Sequence, residues 1–176
     1  MIYFTSDLHF RHANIIPICG RPFESIREMD ETLIKNWNNI VKPEDEVYIL
    51  GDFTMSKDPK VVDEILEQLN GKKYLIIGNH DQFTKRYTGN SFEFIAPYYE
   101  LRHEGQLFCL CHYPIAEWNG YYRGAYNLHG HQHNHKEYND GNIEIGLKRY
   151  DVGVDANDFK PISINQIVNR FNFGMY

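Results

Sequence analysis

Nine side chains of metal-binding or acid–base type fall in five short blocks, and each block follows an apolar run. Ile2-Tyr3-Phe4 leads to Asp7-Leu8-His9, and Val47-Tyr48-Ile49-Leu50 to Gly51-Asp52. Tyr74-Leu75-Ile76-Ile77 leads to Gly78-Asn79-His80-Asp81. Leu107 through Cys111 leads to His112, and Leu128 precedes Gly130-His131-Gln132-His133. Carboxylate oxygen, imidazole nitrogen and a neutral amide oxygen suit Mn, Fe, Zn, Co or Ni better than Ca. The set exceeds what one cation needs and suits two. Taken singly the blocks are weaker, because Gly-Asp is a common turn and a lone histidine is often a satisfied buried one.

Such a set must be held by elements that bring distant blocks to one place. A buried strand ending in a ligand, repeated along the chain, assembles a site at one rim of an α/β sheet. Residues spaced two apart, as in Asp7/His9 and His131/His133, project to the same side of an extended chain. Between the strands, Met29, Leu33, Trp37, Ile40 and Val41 recur near a 3.6 period and predict a helix over 28–41. Asp58, Pro59 and Gly71 bracket a second helix at 59–69. Ser163 with Gln166 forms a capping-box signal for a third at 163–171. Further strands are expected at 143–147 and 150–154. Residues 10–27, 113–127 and 134–142 read as loops, the last on its Asn139-Asp140-Gly141 turn signal. At 176 residues, with no repeat or linker, the chain reads as one domain.

Composition narrows the function classes. A formal net charge of −6 and the lack of Lys/Arg runs argue against an extended nucleic-acid track. Apolar runs are strand-sized, so no membrane span is expected. No secretory signal is legible, and an odd cysteine count does not make a disulfide framework. A cytoplasmic location is therefore expected. Cys109 and Cys111 alternate along a strand and read as small hydrophobes rather than ligands.

The ordered set D-x-H, G-D, G-N-H-D, H, G-H-x-H resembles the calcineurin-like metallophosphoesterase family over residues 7–133. The tail Val152-Gly153-Val154-Asp155 is similar to compact bacterial or phage-type members. The resemblance implies an α/β fold, a two-sheet β-sandwich flanked by helices, with a dimetal site at the C-terminal strand ends. It implies that Asp7, His9 and His133 bind one divalent metal ion, that Asn79, His112 and His131 bind the other, and that Asp52 bridges both. The ions would be Mn, Fe, Zn, Ni or Co, with Mn favoured. His80 would face the substrate phosphate as acid or transition-state stabiliser, and Asp81 would hydrogen-bond and orient it. With Asp7 and Asp52 as the anionic ligands, two divalent ions leave a surplus of about +2, which attracts phosphate and acidifies a water.

The expected function is hydrolysis of phosphate mono- or diesters by a metal-bound hydroxide, acting on a small phosphate ester or short nucleotide. The alternatives are a non-catalytic interaction module on the same fold and a nuclease acting on short nucleic acid. Filled ligand positions favour the enzyme. Outside the blocks, His12 could approach the site, and Arg11 stands where similar segments often carry Gly. Arg21 and Arg123 are candidates for a second phosphate. His129 is expected to pack or to orient a ligand. Tyr113, Trp118, Tyr121, Tyr122 and Tyr126 either pack the 113–127 loop or stack on a substrate ring. Asp151 and Asp155 are expected to end a strand and cap the segment after it.

Overall fold

Alternation along β2 (Glu46–Ile49) decides the layering. Val47 and Ile49 point to one face, and Tyr48 and the following Leu50 to the other, all of them buried. A strand apolar on both faces must be covered on both. In the computed structural model, which describes residues 1–174, β2 lies at the centre of a five-stranded sheet. Its neighbours are β1 (Ile2–Thr5) and β3 (Lys72–Ile76), both parallel to it. β4 (Phe94–Ala96) extends the sheet in parallel beyond β3. The last strand, β9 (Ile162–Ser163), closes the other edge antiparallel to β1.

One face of this sheet is covered by α2 (Ile26–Asn38) and α3 (Pro59–Leu66). Met29, Leu33 and Trp37 of α2 and Val62, Ile65 and Leu66 of α3 meet Val47, Ile49 and Leu75 there. The other face packs on a second sheet of four strands: β5 (Tyr98–His103), β6 (Gln106–Cys111), β7 (Tyr126–His129) and β8 (Arg149–Asp151). Phe4, Tyr48 and Ile76 fill the space between the sheets with Phe108, Leu110, Tyr126 and Leu128. Each such side chain contributes roughly 1.5–3 kcal/mol when fully buried. The register pair Tyr48 and Tyr74 stacks at 4.5 Å between centroids. β6, β7 and β8 run parallel. Both sheets therefore deliver strand C-termini toward loops that carry the polar blocks.

Several elements differ from the sequence reading. α2 starts at Ile26, because the Ser25 hydroxyl accepts the Glu28 amide at 3.2 Å, and it ends at Asn38 rather than at 41. α3 stops at Leu66, short of 69. The third helix, α5 (Ile164–Phe173), has Ser163 as its cap with the reciprocal Gln166 bond. The 10–27 loop contains a short helix, α1 (Ile15–Cys19). Arg102 and His103 belong to β5.

The larger correction lies at 134–147. A helix, α4 (Lys136–Glu144), replaces both the expected loop at 134–142 and the first part of the expected strand at 143–147. Its buried side is polar. Asn139 exchanges two hydrogen bonds with the Asp151 backbone at 2.8 and 2.9 Å, and Asn142 donates to the Arg149 carbonyl at 3.0 Å. A helix that docks on a strand edge through amides carries no apolar stripe for periodicity to detect. The strand expected at 150–154 is the shorter β8, followed by a tight turn at Val154–Ala156.

Replacing Ser163 with Ala removes the cap oxygen of α5. The expected loss is about 1 kcal/mol, read as a lower urea midpoint with an unchanged slope.

Candidate metal centre

The ligand blocks leave their strands on an unusual backbone. Asp7, His9, Asp52, His131 and His133 all have positive φ, between 49° and 71°. L-residues adopt this left-handed region at a cost of roughly 1–2 kcal/mol each. Such strain persists only where surrounding structure enforces it, and it concentrates at functional sites. Here the enforcing contacts are backbone hydrogen bonds. Asp7 N–H donates to the Gly51 carbonyl at 3.0 Å, and His9 N–H to the Asp52 carbonyl at 2.9 Å. The first two blocks are thereby laced together side by side.

Glycines let the blocks close up. A Cβ on Gly78 would strike the Asp52 carboxylate and amide, and one on Gly130 would strike Ser6 Oγ and Asp7 Oδ2. Buried Asp7 accepts Ser6 Oγ–H at 2.6 Å and the His131 amide at 3.0 Å. Burial, reinforced by Asp151 and Asp52, holds its carboxyl well above the usual range despite His133 nearby. Burial, with neighbouring cationic groups, pushes His9 down to about 2.

Two donor groups result. Asp7, His9 and His133 offer three ligand atoms within 4.8 Å of one another, and Asp52, His112 and His131 do the same. Asp52 Oδ2 stands between the groups, 3.6 Å from His9 Nε2 and 3.5 Å from His112 Nε2. His112 Nδ1 lies 2.8 Å from the Leu50 carbonyl, which can only accept, so in the neutral ring Nδ1 carries the proton and Nε2 presents a lone pair. That lone pair faces Asn79 Oδ1 at 3.0 Å and the Asp52 carboxylate, acceptor against acceptor. His9 Nε2 is buried with no hydrogen-bond partner. Buried acceptors facing one another are unfavourable unless a cation lies among them. The residues present therefore fit divalent metal ions.

The structure thus brings together all seven residues read as ligands. His80 lies at the same place, half-buried, with its ring edge-on to His9 at 5.4 Å and its amide donating to Asp52 Oδ1 at 2.8 Å. Asp81 differs from expectation. Its carboxylate does not hold the His80 ring. It accepts the amides of Asp52, Phe53 and Gly78 at 2.8–2.9 Å and so locks the second and third blocks together. Burial raises its carboxyl to about 6, against the pull of those amides.

Arg21 also departs from its reading. Its guanidinium is buried and faces no substrate space. It pairs with both oxygens of Asp155 at 2.8 Å and donates to the carbonyls of Asp7 and Leu8 at 2.6 and 3.2 Å. Asp155 in turn accepts from His133 Nδ1 at 2.8 Å, which leaves Nε2 toward Asp7. Burial opposes its charge, but His133 and Arg21 outweigh that and hold Asp155 below the usual carboxylate range. Sequence reasoning missed this strap, because residues 134 positions apart carry no shared motif. Arg11 turns to Asp30, with 3.5 Å between guanidinium and carboxylate. His12 does approach, its Nδ1 3.3 Å from His9 Nδ1. His129 is buried between the Gly130 carbonyl and the Tyr138 hydroxyl and orients no ligand. Asp151 ends β8 and accepts the Gly153 amide at 2.7 Å. In the 113–127 loop Trp118 packs on Cys109 and Ala125, whereas Tyr113 is exposed and lies edge-on to His131 at 4.6 Å.

A sequence profile of the calcineurin-like phosphoesterases matches residues 1–154. The chain belongs to the calcineurin-like phosphoesterase family. At the level of that family it is a metal-dependent phosphoesterase with a site for two divalent ions. Among similar chains is an uncharacterized protein of Methanocaldococcus jannaschii, 42% identical over 98% of this chain and 92% of its own length. The Gene 66 protein of Mycobacterium phage D29 is 28% identical over 99% of this chain and 98% of its own. The crystal structure of a protein of unknown function from Aquifex aeolicus superposes with a TM-score of 0.72 at 30% identity, covering 96% of this chain and 98% of that one. Among the described residues no helix is long and apolar enough to cross a membrane.

The strap makes a measurable demand on this phosphoesterase. Removing a buried partner of a ligating histidine typically weakens metal binding about 10–100-fold. Asp155→Asn is expected to lower affinity at the Asp7–His9–His133 position by that factor and leave the other position filled. Calorimetric titration with Mn, giving two separated binding events in place of the wild-type pattern, is the check.

Proposed function

We propose that this chain hydrolyses small phosphate mono- or diesters at a dinuclear centre. The observation that carries the reading is the position of Asp52 Oδ2, 3.6 and 3.5 Å from one imidazole nitrogen of each donor group. A carboxylate so placed is suited to be shared by two cations, whereas a mononuclear site has no use for the second group. Asp7, His9 and His133 would hold one ion, and Asn79, His112 and His131 the other. Borderline imidazole nitrogens mixed with hard oxygens suit Mn, Fe, Zn, Ni or Co, of which Mn is our choice. Bound divalent ions supply Lewis acidity toward phosphoryl oxygens and lower the pKa of water.

The chain's own groups would do the rest. Asp81 fixes the backbone of Gly78, Asp52 and Phe53, so the bridging carboxylate and the His80 turn keep one relative geometry. Gln82 N–H closes that turn on the His80 carbonyl at 2.7 Å. The His80 ring stands at the open side of the centre, beside His9 and 6.3 Å from the His12 ring. From there it would hydrogen-bond a phosphoryl oxygen and donate a proton to the departing alkoxide. Exposed Tyr113 borders the other group and limits how a substrate lies over His131.

Protein reconstituted with Mn, Ni, Co, Zn or Mg should turn over bis-p-nitrophenyl phosphate or p-nitrophenyl phosphate. Failure with every ester at two ions per chain would overturn the reading in favour of a non-catalytic module. His80→Ala is expected to keep both ions and lose about 10²–10⁴ in kcat. Asp52→Asn should lose metal instead, and full occupancy by elemental analysis would refute the shared carboxylate.

A further inference from the structure

A second recognition surface lies on the opposite rim of the four-stranded sheet. Gln106 and Leu107 begin β6, Ala125 precedes β7 and Lys148 precedes β8, and all four border one hollow of about 430 Å³. His112 follows the far end of β6, so this hollow is roughly 20 Å from the metal centre at about 3.3 Å per strand residue. Arg102, Arg123 and Lys148 line it. No ion pair within 4.0 Å joins any of these three to a carboxylate among the described residues. Among the described residues the Arg123 guanidinium reaches only Asn119 Oδ1, at 3.4 Å, and the Lys148 ammonium sits 4.6 Å from the Tyr126 ring centroid.

An adjoining hollow of about 450 Å³ shares Gly124 and Lys148 with the first and is aromatic. Trp118 forms its buried side, and Tyr121 stands edge-on to Trp118 at 4.7 Å. Tyr122 is 83% exposed and Ile145 73%, although both are large and neither is needed by the core. No Asp or Glu lines either hollow, in a chain with 24 of them. Glu100, two residues before Arg102, accepts from Asn119 and Tyr98.

Accessible rings next to cations that lack a carboxylate partner are the pairing that recognises a planar base joined to phosphate. We propose that Tyr121, Tyr122, Arg102, Arg123 and Lys148 form a nucleotide-binding site separate from the metal centre. The base stacks in the aromatic hollow, and the phosphate sits at Lys148, where the two hollows meet. This chemistry is shared by a free nucleotide and by a unit of a single-stranded chain. The site uses none of the metal-binding residues and stands whether or not the chain is a phosphoesterase.

The test uses the full chain in EDTA, which removes metal-bound phosphate from consideration. Two probes are followed by fluorescence: 1,N6-ethenoadenosine 5′-monophosphate and a 5′-fluorescein hexathymidylate. Wild type should bind at least one. Tyr122→Ala should weaken binding about tenfold or more, with Tm unmoved because the ring is exposed. Lys148→Glu should weaken it similarly and lower the salt slope by roughly one. Equal affinity for both probes identifies a free nucleotide as ligand, and tighter hexamer binding identifies a strand. If neither probe binds, if both variants bind as wild type, or if inorganic phosphate displaces the probes at the nucleotide's own concentration, the proposal fails.

Discussion

Everything around the centre depends on one constraint: buried electron pairs that have no donor to meet. Asp52 Oδ2, His9 Nε2 and His112 Nε2 converge within hydrogen-bonding range or just outside it, and Asn79 Oδ1 joins them. An arrangement of this kind is repulsive on its own. It survives because the groups are held from behind. Leu50 fixes one imidazole, Asp155 another, and Asp81 ties three amides that carry the loops. The left-handed residues and the cramped glycines arise from the same demand, since only such a backbone aims five side chains inward from adjacent strand ends.

The clustering of ligand types after apolar runs was legible in the sequence because strand burial and metal affinity both leave signatures in residue type. The apolar run Val47–Leu50 told of a buried strand, and the Ser163/Gln166 spacing told of a helix start. Interactions between residues distant in sequence and ordinary in composition escaped it. Arg21 read as a loop arginine free to meet a second phosphate, yet it is buried against Asp155. Asp81 sat next to His80 and invited a pairing with it, whereas backbone amides claimed its oxygens. α4 was hidden because Asn139 and Asn142 dock it by hydrogen bonds rather than by apolar burial. Short edge strands such as Phe94–Ala96 were invisible for want of length.

The two donor groups are not equivalent in their surroundings. Around Asp7, His9 and His133, polar groups are backed by a buried ion pair and by carbonyls from the first loop. Around Asp52, His112 and His131, two ligand candidates, Asn79 and His131, are exposed and lack such backing. One half is built like a protein interior and the other like a binding surface.

The chain crosses from one sheet to the other at Pro97, between β4 and β5, and returns between β8 and β9. Each donor group nevertheless draws on both layers: Asp7 and His9 with His133, and Asp52 and Asn79 with His112 and His131. Ions held by such groups would act as rivets through the sandwich. Sliding one sheet past the other would then require breaking coordinate bonds as well as separating apolar surfaces. Fold and chemistry would fail together, so the rim that serves catalysis would also be the seam that resists shear.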